Sequence, residues 1–449
     1  MNTHAWSIAA EAIRSTSTVR VSGRVTRVGG LLVEGALRDA SLGMTCKLHV
    51  GGRGPGVLAE VVAMHGDKVS LMPLGNVSGI TVGAQIDPMG REAMVPVGPG
   101  LLGRVLDGWG QPRDGRGPLE CEQSVPLHPA PLNPLERGLV DAPLSLGIGA
   151  IDGILTSGRG QRIAIMAGAG VGKSTLLGMM ARFTEADVTV MALVGERSRE
   201  VRRFVETELG PEGLARSVVV AATSNMAAAL RIRAACLATS IAEYYRDQGK
   251  KVLLLMDSLT RVCMAQRELG LAIGEPPTSR GYPPSSFALV PQLLERAGCG
   301  TGTGSITAAY TVLLEGDDLG DPIGDTVRAV SDGHIVLSRR LADHGHYPAI
   351  DVLASTSRVM TDVASESHQD CASAVRRTLA DLEEARELQT FGAYRPGEVP
   401  RFDHAFAMED DINELLLQRV DDQRPLAGTQ ETLARVAHRI ATLAMEETS

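Results

Sequence analysis

The chain has 449 residues, 44 of them basic and 53 acidic, and its 44 % hydrophobic content is ample for globular cores, which excludes disorder as the main state. Its length exceeds what one core usually serves, so two or three domains are expected. No apolar run approaches the ~18 residues of a membrane span, and the opening MNTHAWSIAAEAIR lacks the basic start and apolar stretch of a secretory leader, so a cytoplasmic chain is expected.

Only five of the basic residues are lysines. Residues 1–95 carry a formal charge of +2, residues 96–360 −2 and residues 361–449 −9, which puts the acidic excess at the C-terminal end. The six cysteines form no CxxC pair and no Cys/His cluster, and are read as reduced core residues.

In chain order, Ala5 to Ile13 reads as a short helix that either docks on another surface, a partner or the membrane, or merely frays. From about Val19 to Val97, short Val/Leu-rich segments broken by Gly and Pro predict a small β-barrel or sandwich, the domain 1–95. Its near-neutral charge, with Trp6 and Trp109 the only aromatics before Phe183, argues against nucleic acid as a partner. Residues 98–150 are rich in Gly and Pro and read as an extended connector. Beyond it, strands are expected at Arg162 to Met166, Val188 to Val194, Ser217 to Ala222, Val252 to Met256, Ser305 to Leu313 and His334 to Leu337. Helical patterns lie between them, such as Asn225 to Arg246 with Gly249 as a cap. That alternation predicts an α/β domain over 96–360 with a mainly parallel sheet, followed by acidic helices over 361–449.

The strongest local signal is AGAGVGKST, Ala167 to Thr175, set between a strand and a helical pattern. It fits the phosphate-binding P-loop, with Ala167 where the first glycine would stand. Gly168, Gly170 and Gly172 let successive backbone NH groups, with those of Ala169, Val171 and Thr175, face phosphate oxygens at a helix N-terminus. Lys173 is expected to reach the β- and γ-phosphates of ATP and Ser174 to ligate Mg2+. Asp257 ends the apolar run KVLLLMD, where a P-loop fold places a carboxylate that holds the magnesium through water. In VGERSRE, Glu196 can polarise the attacking water if its strand adjoins the phosphate-loop strand.

Together these motifs resemble the catalytic subunits of the rotary ATP synthases and their relatives, the type III export ATPases of flagella and injectisomes. Residues 265–298, 311–360 and 101–119 resemble the export branch, RGYPPS at Arg280 to Ser285 most specifically, and the resemblance spans roughly residues 20–420. It implies a RecA-like P-loop core with an N-terminal β-barrel and a C-terminal helical domain. Residue by residue it implies Glu196 as the catalytic carboxylate, Arg197 as a γ-phosphate or site-ordering residue, and Glu200 and Arg261 around the magnesium and carboxylates. It further implies Tyr347 against the adenine and Arg358 as an arginine finger, hence a homohexamer with shared sites. The implied activity is magnesium-dependent ATP hydrolysis driving export of unfolded proteins, at the flagellar apparatus by preference, with an injectisome as the alternative and a Rho-like translocase disfavoured. Implied partners are stator and stalk subunits and chaperone–cargo complexes, with the ring peripheral at the cytoplasmic face of the inner membrane; the acidic stretch Asp381 to Tyr394 reads equally as a docking surface or a solvated face.

Overall fold

The computed structural model describes residues 21–29, 31–51, 56–90, 93–318 and 320–446; the helix expected over Ala5 to Ile13 lies outside them. The chain divides into two compact units, one holding the described residues up to Ala93 with Ala272–Gly274, the other Met94–Leu271 and the residues from Glu275 onward. In the first, β1 (Gly23–Val28), β2 (Val33–Ala36), β3 (Thr45–Leu48), β4 (Val57–His65), β5 (Lys68–Pro73) and β6 (Gln85–Gly90) close a barrel in the order β1-β2-β5-β4-β3-β6. Alternation sets its inside: in β3, Cys46 and Leu48 are fully buried while Thr45 and Lys47 are not, and they join Val33, Val61, Leu71 and Ile86 in one core.

The second unit is built on a sheet of order β17-β16-β10-β15-β13-β11-β12-β8. Its strands are β8 (Val105–Asp107), β10 (Arg162–Ala167), β11 (Val188–Val194), β12 (Ser217–Ala222), β13 (Lys251–Asp257), β15 (Ser305–Leu313), β16 (Gly333–Leu337) and β17 (Ile350–Ser357). All are mutually parallel except β17, and the short β14 (Gly298–Cys299) pairs antiparallel with β15. β7 (Met94–Val97) and β9 (Gln123–Pro126) form a separate pair. Every residue of β11 is buried, as a parallel strand covered on both faces requires.

The six expected strands are present within one residue at either end, and the helix forms over Ala228–Asp247, with Gly249 at φ +79° just beyond it. Two expectations are corrected. The supposed extended connector contributes β8 to the sheet, because Asp114 accepts from the Val105 amide at 3.0 Å and binds the Arg104 guanidinium at 2.7 Å, fixing a hairpin-like turn that the Gly/Pro content concealed. The strand carrying Glu196 does not adjoin the phosphate-loop strand: β15 and β13 lie between β11 and β10, a lateral offset of ~14 Å at ~4.8 Å per strand.

The helices Glu366–Thr390, Pro400–Ala407, Glu409–Leu416 and Leu426–Glu446 follow the sheet. Val375, Ile412, Leu415, Leu433 and Val436 join Ile165, Leu177, Leu193 and Leu255 in one continuous core, so this helical domain is fused to the nucleotide-binding sheet. Among the described residues no helix is long and apolar enough to cross a membrane. All six cysteines are free thiols.

Candidate nucleotide site

β10 delivers the chain to the loop at Ala167, which is fully buried and paired with Leu313 and Leu337 on its two flanking strands. Its methyl is therefore part of the sheet. Residues 168–172 then turn into the helix Lys173–Phe183, with Gly170 at φ +79° and Gly172 at φ +88°, conformations that side chains bearing a Cβ resist. Gly172 caps the helix with no side-chain hydrogen bond, so the first-turn NH groups have no side-chain acceptor there and are available to an anion. Val171 is buried as the apolar foot of the loop, Ser174 is exposed, and Arg339 donates to the Ala169 carbonyl at 3.0 Å.

Three expected residues converge on that loop. The Lys173 ammonium donates to Asp257 Oδ1 and lies 3.9 Å from Glu196 Oε1. Thr311 Oγ1, from the intervening β15, donates to the same Asp257 oxygen at 2.8 Å and fixes its orientation. Glu196 spans the two-strand offset because the chain leaves β11 through Gly195, at φ +74°, whose amide donates to the Ala222 carbonyl at 2.6 Å. Behind it Arg261 Nε, buried without a hydrogen-bond acceptor, stands 3.6 Å from Glu196 Oε1.

Burial first, then a hydrogen bond with Glu200 and the Asp257 charge, push the Glu196 carboxyl up to about 7, against the pull of Lys173 and Arg261. Glu200 is held below its ordinary value by that same hydrogen bond. Of the two carboxyls Glu196 is therefore the more readily protonated. Glu200 is thus engaged by the Glu196 carboxyl and, at 3.9 Å, by Arg197. The Arg197 side chain is 75 % exposed at the head of the helix Ser198–Arg203.

Tyr347 stands against the loop, its ring carbons 3.5 Å from where a Cβ on Gly172 would lie. It lines a cavity of about 840 Å³ together with Val171, Thr175, Met179 and the segment Leu417–Asp422. The Gln418 amide donates to the Tyr347 carbonyl at 3.0 Å. This C-terminal wall escaped sequence reading, as did Thr311 and Arg339, because no local motif marks them; only strand register and helix packing bring them to the loop.

Arg358 is not at this site. It follows β17, whose antiparallel course carries it to the opposite end of the sheet: its amide donates to the Asp332 carbonyl, and the Asp332 amide to the Arg162 carbonyl, at 2.9 and 2.8 Å. Arg358 is thus level with the start of β10, some ~17 Å along the strand from its own phosphate loop. Its guanidinium donates to the Ser331 and Arg328 carbonyls at 3.2 and 3.3 Å.

The donors fit magnesium. Ser174 and Asp257 offer only oxygen, as a hard divalent ion that keeps waters and substrate phosphates requires, and Asp257 already holds a cation in the Lys173 ammonium.

Residues 147–357 match the nucleotide-binding domain of the ATP synthase alpha/beta family, residues 19–90 its beta-barrel domain, and residues 364–435 the T3SS EscN ATPase C-terminal domain. The chain is 49 % identical to the flagellum-specific ATP synthase of Pseudomonas aeruginosa, over 94 % of this chain and 95 % of that one. It is also 49 % identical to the type 3 secretion system ATPase of Xanthomonas euvesicatoria, over 92 % and 93 %. The fold matches the assembled ATPase EscN of the enteropathogenic E. coli type III secretion system with a TM-score of 0.87 at 44 % identity, covering 92 % of this chain and all of that one. EscN in complex with its central stalk EscO matches with a TM-score of 0.85 at 43 % identity, covering 92 % of this chain and all of that one.

Proposed function

The chain belongs to the family of flagellum-specific and type III secretion system ATPases, within the wider ATP synthase alpha/beta family, and from that membership we propose how its own residues hydrolyse ATP. The observation that carries the reading is the meeting of Lys173, Asp257 and Glu196 at the phosphate loop. Lys173 leaves Asp257 for the β- and γ-phosphates, the NH groups of residues 168–175 cradle their oxygens, and Tyr347 packs on the adenine in the adjoining cavity. Ser174 and, through water, Asp257 would hold magnesium, whose charge would offset that of the phosphates. Glu196 in its ionised form accepts a hydrogen bond from the attacking water, with Arg261 balancing its charge. Arg197 and Glu200 order the Glu196 loop.

Arg358, remote from its own loop, serves the site of a neighbouring copy, where its guanidinium donates to the developing phosphoryl charge. A closed ring of six copies satisfies every site, and a homohexamer is proposed on that ground. Hydrolysis in the ring energises export of unfolded proteins through a flagellar or type III secretion apparatus. Relatives with either name match at 49 % identity and draw no line between the two roles, so the flagellar preference gains no support. Stalk, stator and chaperone–cargo complexes are the proposed partners, with the ring peripheral at the inner membrane; the match to EscN solved with its stalk supports the first of these.

The test mixes two inactive variants. Rings assembled from Arg358→Ala and Lys173→Ala chains contain interfaces with an intact loop and an intact finger, so partial ATPase activity should return. Verified mixed rings that stay inactive would remove Arg358 from the shared site.

A further inference from the structure

The segment Asn133–Val140 is anchored by polar contacts yet presents apolar side chains to solvent. Arg137 donates to the carbonyls of Cys299 at 3.1 Å, Glu295 at 2.8 Å and Ala297. The Gly138 amide donates to the Gly300 carbonyl at 3.0 Å, and Asn133 caps the short helix Pro134–Glu136 by accepting from the Leu135 amide at 3.1 Å. On this fixed backbone Leu135 is 94 % and Leu139 84 % exposed. A lone exposed leucine needs no explanation, but two, four residues apart on a strapped-down backbone, form an apolar ridge held ready for contact.

The place of the ridge says what covers it. Its anchor carbonyls surround β14, which pairs with Ser305 at the start of β15, and Arg162, at the start of β10, reaches Glu295 at 2.5 Å. The ridge is therefore at the same end of the sheet as Arg358. Continuity is direct: the side chains of Val140, Val359 and Val363 converge on Gly158, all within 3.3 Å of where its Cβ would lie. Leu139 and Arg358 each adjoin a member of that valine cluster.

We propose that Leu135 and Leu139 anchor the contact between neighbouring copies of this chain, seating on the copy whose phosphate loop receives Arg358. The proposal rests on the ring reading above and names the apolar part of that interface. Arg358 alone is a poor anchor, because a charged group that must meet phosphate is tuned for the reaction, whereas burying two leucines supplies association that is independent of nucleotide charge. The ridge fixes the register that places the guanidinium.

The experiment compares the unsubstituted chain with Leu135→Ser/Leu139→Ser and with the conservative Leu135→Met/Leu139→Met, by mass photometry or sedimentation across protein concentration with ATP analogue and magnesium. Both leucines are exposed, so folding is retained, and nucleotide affinity of the dilute single chain should be unchanged. The serine variant should assemble only at concentrations at least about tenfold higher, with its ATPase activity following the same shift, while the methionine variant assembles as the unsubstituted chain does. Superimposable assembly curves for the unsubstituted and serine chains would overturn the anchor and leave the ring reading standing. An intact ring that loses binding to stalk or membrane would reassign the ridge to that partner and overturn it equally. An unsubstituted chain that stays monomeric throughout would remove the ring, and the anchor with it.

Discussion

In the proposed mechanism Glu196 acts in its ionised form, and in the free chain burial and the hydrogen bond with Glu200 raise its carboxyl to about 7. Because kcat/KM reports the free enzyme, its value for ATP should fall as pH drops through about 7, the value to which the Glu196 carboxyl is raised, and be full above it. Glu200→Gln removes the partner that raises Glu196 and offers NH donors to the ionised form, so the acid limb should move to lower pH; an unmoved profile would separate the limb from this pair. Glu196→Gln should keep ATP binding and lose turnover by about 10²- to 10⁴-fold, read by single-turnover kinetics beside a binding isotherm. Gly195→Ala combines a left-handed φ of +74° with a Cβ 2.5 Å from Arg261 Cδ, so it should displace Arg261 from Glu196 and lower kcat more than it raises KM.

At the scale of elements, the edge strand β8 depends on a buried ion pair. Arg104 binds Asp114 through two hydrogen bonds of 2.7 and 3.0 Å and also donates to the Gly117 carbonyl at 2.7 Å. Removing one partner strands the other, so Asp114→Ala should cost about 3–5 kcal/mol in denaturant unfolding. The same pair sets an acid limit. The Asp114 carboxyl is held well below its usual range by the Arg104 hydrogen bond, so its stabilisation is complete above the ordinary carboxylate value and is lost as pH falls through the depressed one. The core shared by the sheet and the C-terminal helices makes a different prediction. Leu415 is fully buried against Gly153, and Leu415→Ala should destabilise by about 2–5 kcal/mol. Sheet and helices should lose structure in one transition, followed by hydrogen exchange in both.

At the scale of the molecule, Arg358 lies ~17 Å along the strand from its own loop, and if it serves a neighbouring site as proposed, catalysis is a property of the assembly. Specific ATPase activity should therefore rise with protein concentration as chains associate. A rate per chain that stays constant down to concentrations where only single chains exist would show a site complete in one copy. The barrel has a core of its own, so Leu415→Ala should leave hydrogen-exchange protection of β1–β6 unchanged while lowering it in the sheet.

The phosphate loop was legible because its function lies in backbone conformations that only a local run of glycines supplies, followed by Lys173 and Ser174. The strands of the sheet were legible too, since a parallel strand covered on both faces needs an unbroken apolar run, as in Val188–Val194. Tyr347 and Arg358 were singled out only through resemblance, because a lone tyrosine or one arginine among thirty-nine carries no local mark. Strand order was not legible: it is decided by which apolar faces pack together, and it put two strands between Glu196 and the loop and Thr311 onto Asp257. Nor was the C-terminal wall at Leu417–Asp422, brought to Tyr347 by the burial of distant helices. Sequence alone marked the loop residues proposed to handle phosphate, because their chemistry is local. Tertiary structure decided which of the two carboxyls is the more readily protonated and that Arg358 lies away from its own phosphate loop, because the first depends on burial and the second on the antiparallel turn of a single edge strand.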